Sequence, residues 1–175
     1  AVGVIDTTPY GYAPFLGGLS PDGSQLYVSL YDSDRVLVVD TATQTPFSQT
    51  GAGGDGPRNV AFTPDGAYAL VPNRYSSTLS VIDTATRAVT VTLPTEEDPM
   101  IVVTSPCLGK AYVTNRISNT VSIIDTAALT VTGVISGFNN PWGIVISPYG
   151  RWAYVTNQGN GTIGVIDTAA DALIA

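Results

Sequence analysis

A single period governs the chain. Pro21, Pro64, Pro106 and Pro148 stand 43, 42 and 42 residues apart, and each is followed 19 positions later by an aspartate: Asp40, Asp83, Asp125 and Asp167. Seven residues before each of these prolines lies another, at Pro14, Pro57, Pro99 and Pro141. Such a recurrence excludes most ways of folding the chain, because every copy must form the same unit and bury its apolar surface against its neighbours. Between the two prolines of a copy runs a short apolar segment, R-N-V-A-F-T at 58–63 or W-G-I-V-I-S at 142–147, which predicts a buried strand a. An S/T-P-D-G turn follows (20–23 and 63–66), where Pro presets φ and Gly accepts a positive φ. Strand b comes next, as Q-L-Y-V-S, Y-A-L-V-P, K-A-Y-V-T or W-A-Y-V-T. A polar loop then leads to strand c, as T-L-S-V-I-D-T or T-V-S-I-I-D-T. After a D-T-A turn, alternating residues such as A-V-T-V-T-L predict strand d.

Four short strands per period of about 42 residues is the pattern of a propeller blade. The predicted fold is all-β: a β-propeller of four-stranded antiparallel blades, forming one module over 1–175. Its blade repeats fall at about 14–56, 57–98, 99–140 and 141–175, after an N-terminal strand at 1–8. A parallel β-helix would need much shorter coils, and a sandwich demands no fixed period. Composition agrees, since 18 Gly and 12 Pro with only 12% charged residues describe a turn-rich β protein.

Several motifs recur in fixed order: Y-V-T-N at 112–115 and 154–157, I-D-T-A at 82–85 and 124–127, each after Val or Ile, and the S/T-P-D-G turns. In these the chain resembles the YVTN-type β-propeller repeat of prokaryotic surface and secreted proteins, over nearly its whole length. The resemblance implies an extracellular or cell-envelope setting. It leaves several functions open, because related propellers include structural proteins, binding modules, lactonase-like enzymes and haem-bearing domains.

The first copy departs from the pattern. Residues 2–7, V-G-V-I-D-T, match strand c of the last copy, yet Asp6 is 8 residues from Pro14, whereas Asp83 and Asp125 are each 16 from the next proline. A whole strand d is missing there, and the last copy stops partway through its own. The N-terminal segment is therefore expected to fill the outer place in the last blade and close the ring, since an open array leaves edges and apolar faces uncovered. A closed four-bladed ring, a dimer pooling eight blades and a piece of a larger propeller all satisfy the pattern. The lack of an initiating Met and of a signal-peptide pattern suggests a processed product or an excised piece.

Strand order places the a–b and c–d turns on one, repetitive face and the b–c and d–a loops on the other, varied face, where repeat folds tend to carry function. The candidate ligand-binding residues there are Arg58, Arg74, Tyr75, Arg116, Asn140 and Trp142. Guanidinium offers a forked donor set and indole a flat apolar platform, which together suit a polar, anionic or carbohydrate ligand. The competing account is a set of solvated loop residues with local ion pairs such as Arg58 with Asp55.

No catalytic residue is assigned. The chain contains no histidine, which removes imidazole acid–base pairs, imidazole metal sites and the usual haem ligand. Its one cysteine, Cys107, permits neither a thiolate zinc site nor an internal disulfide, and reads as a small turn residue. No metal site is assigned either. Ca²⁺ is the one cofactor left open, through Asp32 with Asp34 or through Glu96, Glu97 and Asp98, but neither set has calcium-loop spacing and an exposed acidic loop fits both. Asp40, Asp83, Asp125 and Asp167 are expected to accept backbone N–H bonds in turns. A net charge of −7 disfavours nucleic acid and anionic membranes as partners. The sequence thus favours a non-enzymatic interaction or structural scaffold with a protein partner or self-association. A lactonase-like hydrolase or lyase using carboxylates and Arg, and a module for a glycan or small polar ligand, are the alternatives.

Overall fold

The structure, a computed structural model, describes residues 3–175. Its strands form four separate four-stranded antiparallel sheets, each in plain sequence order. The first blade comprises β1 (Pro14–Leu19), β2 (Gln25–Leu30), β3 (Arg35–Asp40) and β4 (Thr45–Gly51); the second β5 (Ala61–Phe62), β6 (Tyr68–Asn73), β7 (Thr78–Asp83) and β8 (Ala88–Pro94). The third comprises β9 (Pro99–Thr104), β10 (Lys110–Asn115), β11 (Thr120–Asp125) and β12 (Thr130–Ser136); the fourth β13 (Pro141–Ile146), β14 (Trp152–Asn157), β15 (Thr162–Asp167) and β16 (Ala172–Leu173). Neighbouring blades meet more closely along their first strands than along their fourth, as expected of blades radiating from an axis.

The pleat explains why Tyr-Val-Thr-Asn recurs. Successive side chains on a strand point to opposite faces, so one strand serves two interfaces. Tyr27, Leu70 and Tyr112 face the following blade, while Ala69 and Val71, Ala111 and Val113, and Ala153 and Val155 face the preceding one; the three apolar clusters between blades are built from these sets. Between the first two blades Tyr27 meets Phe62 edge to face at 5.0 Å. The inner strands approach so closely there that a Cβ on Gly18 would lie 2.3 Å from the Val60 carbonyl oxygen. Asn115 is buried and its amide donates across the hairpin to Thr120 Oγ1 at 3.1 Å and Ser122 Oγ at 2.9 Å; Asn73 repeats the pattern with Thr78 and Ser80.

The two end blades differ from the expectation of closure. The last blade's fourth strand is its own β16, paired with β15, so the N-terminal segment does not take that place. Of that segment, Val2 lies outside the described residues; Ile5 and Tyr10 pack on the first blade's Leu30, Leu37 and Val39, covering the face that other blades turn to a predecessor. At the far end Tyr154, the counterpart of buried Tyr112, is 40% exposed, and Val145 and Ile163 beside it are 62% and 61% exposed. The fourth blade thus presents an uncovered apolar face.

The aspartates that end each third strand are turn residues, as expected. Asp40 accepts from the Thr43 N–H and hydroxyl, Asp83 from those of Thr86, Asp125 from the N–H groups of Ala127 and Ala128, and Asp167 from those of Ala169 and Ala170. These bonds, the backbone ones foremost, hold the Asp40, Asp83 and Asp125 carboxyls below their usual pKa. Cys107 sits in an exposed turn of the third blade, its thiol 3.5 Å from the Tyr149 carbonyl oxygen.

Candidate functional site

At the inner end of the varied face each blade contributes the same three positions. The residue before the inner proline, Ala13, Gly56, Asp98 or Asn140, has a positive φ of 52–67°. Its carbonyl accepts an N–H bond from the residue just past the second strand, Tyr31, Arg74, Arg116 or Gln158, at 2.9–3.1 Å. The residue after the proline is Phe15, Arg58, Met100 or Trp142, and around it the pairing of first and second strands is irregular in all four blades. Such irregularities re-aim side chains at the ends of a sheet. Adjacent blades pin these positions too: the Ser29 hydroxyl donates to the Arg58 carbonyl, and Thr114 Oγ1 donates to the Trp142 carbonyl at 2.7 Å.

Five of the six predicted site residues are joined at this rim in one cluster of hydrogen bonds and guanidinium–ring contacts. Asp98, buried, accepts from Arg74 Nε at 2.7 Å through one oxygen and from Arg116 Nε through the other. Arg58 is only 5% exposed, and its guanidinium carbon lies 4.8 Å from the Phe15 ring centre, 4.9 Å from that of Tyr31 and 5.9 Å from that of Trp142. Arg116 stands 5.8 Å from the Trp142 ring and Arg74 5.1 Å from the Tyr75 ring. Arg58 forms no ion pair with Asp55, and its buried Nε has no hydrogen-bond partner. Burial, with the charge on Arg74, pulls the Arg58 guanidinium below its usual pKa. Arg74 and Arg116 therefore share one carboxylate while Arg58 pairs with none, so the three guanidinium groups and Asp98 together carry two excess positive charges in a chain of net charge −7. Asn140 occupies the rim position of the fourth blade, its N–H bonded to Asn119 Oδ1 at 2.6 Å and its own side-chain oxygen buried without a partner.

Two rim residues, Tyr31 and Phe15, are not among the sequence candidates, and a third, Asp98, stands there only in an acidic run. Tyr31 occupies the same repeat position as Arg74 and Arg116, so aligning the copies column by column exposes it. Its hydroxyl is 2.6 Å from that of Tyr75 and 3.2 Å from Arg74 Nη1. Phe15 shares a column with Arg58 and Trp142. Asp98 was grouped with Glu96 and Glu97 as an exposed acidic loop; it is instead buried, while both glutamates are exposed. Among the described residues no three carboxylates or thiols come together as a ligand set for a metal ion. Asp34 Oδ1 accepts the Gly56 N–H at 2.8 Å, and Asp32 is exposed. No helix of the described residues is long and apolar enough to cross a membrane.

The family described as "Lactonase, 7-bladed beta-propeller" matches residues 18–173. Among solved structures, the Kuenenia stuttgartiensis hydrazine synthase superposes with a TM-score of 0.88 at 27% identity, covering 99% of this chain and 52% of that one. The dihydro-heme d1 dehydrogenase NirN in complex with DHE gives 0.79 at 20% identity over 94% of this chain and 36% of that one. The WD40 repeats of RRP9 give 0.81 at 13% identity over 93% and 50%. The last two show likeness of fold alone, and this chain spans about half or less of each. No curated protein sequence matches.

Proposed function

We propose that this chain, which belongs to the lactonase family of seven-bladed β-propellers, binds a small anionic molecule with a flat apolar portion at the inner rim of its varied face. The observation that carries this is Arg58, a guanidinium wrapped by aromatic rings, with a buried Nε that has no hydrogen-bond partner and no carboxylate of its own. An unpaired buried donor on a charged group costs free energy unless something meets it, and a carboxylate or phosphate oxygen does so best. Asp98 does not fill that role, since both its oxygens serve Arg74 and Arg116. Trp142, Tyr75 and Phe15 supply flat surface for the remainder of the ligand. Lactone acids are the natural first class to try, given the family. A binding module of this kind is favoured over a purely structural scaffold, which would leave the excess charge at the rim without a purpose.

The test is calorimetric titration of the chain with citrate and, separately, with inorganic phosphate at low salt. Arg58→Gln is expected to weaken the better anion by about tenfold, the loss of one charge-assisted contact. Arg87→Gln, whose guanidinium lies over Phe47 in the first blade, should leave it unchanged. If neither anion binds, or the Arg58 variant binds as well as the parent, the proposal falls.

A further inference from the structure

The geometry points to Cys107 as an oxidative modification site on the repetitive face, where peroxide converts the thiol to a sulfinate that fills the role of the aspartate in the matching turns of the first two blades. The turns between first and second strands align as Ser20-Pro21-Asp22, Thr63-Pro64-Asp65, Ser105-Pro106-Cys107 and Ser147-Pro148-Tyr149. Where aspartate stands third, it closes the turn. Asp22 accepts from the Ser20 hydroxyl at 2.6 Å and the Ser24 N–H at 3.1 Å, and Asp65 from the Thr63 hydroxyl at 2.6 Å and the Ala67 N–H at 3.0 Å. The hydroxyl itself accepts an N–H at the start of the second strand, from Gln25, Tyr68 or Trp152, at 3.0 Å in the first, second and fourth blades.

The third blade keeps the hydroxyl and lacks the carboxylate. Ser105 is fully buried, and its Oγ has no hydrogen-bond partner. That orphan faces the cysteine: a Cβ built on Gly150 would lie 3.2 Å from Ser105 Oγ and 2.8 Å from Cys107 Sγ, so both atoms border one small space between the third and fourth blades. Thiol sulfur is a weak acceptor, and the one contact of this thiol is the Tyr149 carbonyl oxygen at 3.5 Å. An unpaired buried hydroxyl costs free energy, and an anionic oxygen meets it best. A sulfinate puts two such oxygens on a side chain of the same length as aspartate. It can accept from the Ser105 hydroxyl and from the Gly109 N–H, the counterpart of the Ser24 and Ala67 N–H groups. Asp65 borders the same groove as Cys107, but its carboxylate is engaged in its own turn. Cys107 is exposed, so peroxide reaches the sulfur.

The oxidation takes two equivalents of hydrogen peroxide. Sulfur attacks one peroxide oxygen, an S–O bond forms as the O–O bond breaks, and the departing hydroxide takes the thiol proton, leaving sulfenic acid and water. With one cysteine in the chain, no internal thiol condenses with the sulfenic acid. A second peroxide repeats the step and gives the sulfinate, water and a released proton.

Mass spectrometry and thermal melting test this together. Dilute parent protein treated with hydrogen peroxide should gain about 32 Da, two oxygen atoms, on the peptide carrying Cys107. Its Tm should rise by about 2–4 °C, and dithiothreitol should not reverse the rise. Cys107→Asp should show the same rise untreated, while Ser105→Ala, oxidised to the same extent, should show none. The proposal is overturned if Cys107 gains no oxygen or passes straight to the sulfonate, if the Tm of the oxidised parent stays level or falls, or if dithiothreitol reverses its rise. An oxidised Ser105→Ala variant that rises as the parent does overturns it equally.

Discussion

Replacing Asp98 by Asn isolates the charge at the centre of the rim. Asparagine has the same shape and tolerates the positive φ of 62° at this position, so backbone strain contributes little to the difference. In the parent, the two carboxylate oxygens accept from Arg74 and Arg116. Hydrogen bonds to charged groups are each worth about 1.5–3 kcal/mol, which sets an upper figure of about 3–6 kcal/mol for the pair. Two effects reduce it. The amide oxygen still accepts from one guanidinium, and the Arg74 and Arg116 side chains are 22% and 26% exposed, so they recover water. The expected loss is about 2–3 kcal/mol, or a fall in Tm of about 4–12 °C for a domain of this size. Thermal melting followed by circular dichroism reads it directly, with Glu97→Gln as an exposed control that should not move. A fall of less than about 1 °C would show that the rim arginines do not depend on Asp98, and the description of a carboxylate-centred cluster would be wrong.

Asn115→Ala should cost about 1–3 kcal/mol in urea denaturation, because it removes the donors to Thr120 and Ser122 inside a buried hairpin; anion affinity should be unaltered, and a change in it would place this position in the site. Acid should destabilise the chain within a defined window. The bonds of Asp22 to Ser20 and Ser24 lower its pKa to about 2, and Asp40, Asp65, Asp83 and Asp125 are lowered likewise by turn hydrogen bonds. Depressed carboxyls contribute stability that is fully present above the unfolded value near 3.8 and is lost as pH falls through the folded one. The urea midpoint should therefore hold from about pH 7 to 5 and drop between about pH 4 and 2; a midpoint constant down to pH 2 would refute this.

The blades were legible because their signals are local. Proline, the Pro-Asp-Gly turn and the aspartate closing the third strand each act within a few residues, and the repeat shows them four times over. Tyr112 and Val113 could be assigned to opposite interfaces from the pleat alone. The N-terminal segment was not legible. Its resemblance to a third strand says what it could pair with, whereas its position reflects a competition between two uncovered faces, which Ile5 and Tyr10 settle on Leu30, Leu37 and Val39 of the first blade. The candidate site was legible by residue type and not by connection. Arginine and tryptophan beside the inner prolines stood out, but that one aspartate from an acidic run turns inward to hold two arginines from successive blades depends on the angle between sheets, which no single copy encodes.

The backbone before each inner proline has an effect on what natural variation can do here. Because that residue sits in a left-handed conformation in all four blades, substitution there is filtered before any ligand is involved: glycine, asparagine and aspartate enter cheaply, and Ala13 carries the steric penalty of an ordinary side chain. Two of the three cheap choices are polar, and their side chains sit at the mouth of the axis. A drifting repeat of this design is thereby steered toward depositing amides and carboxylates where a pocket would be wanted, so that a new specificity could arise from changes the scaffold already tolerates.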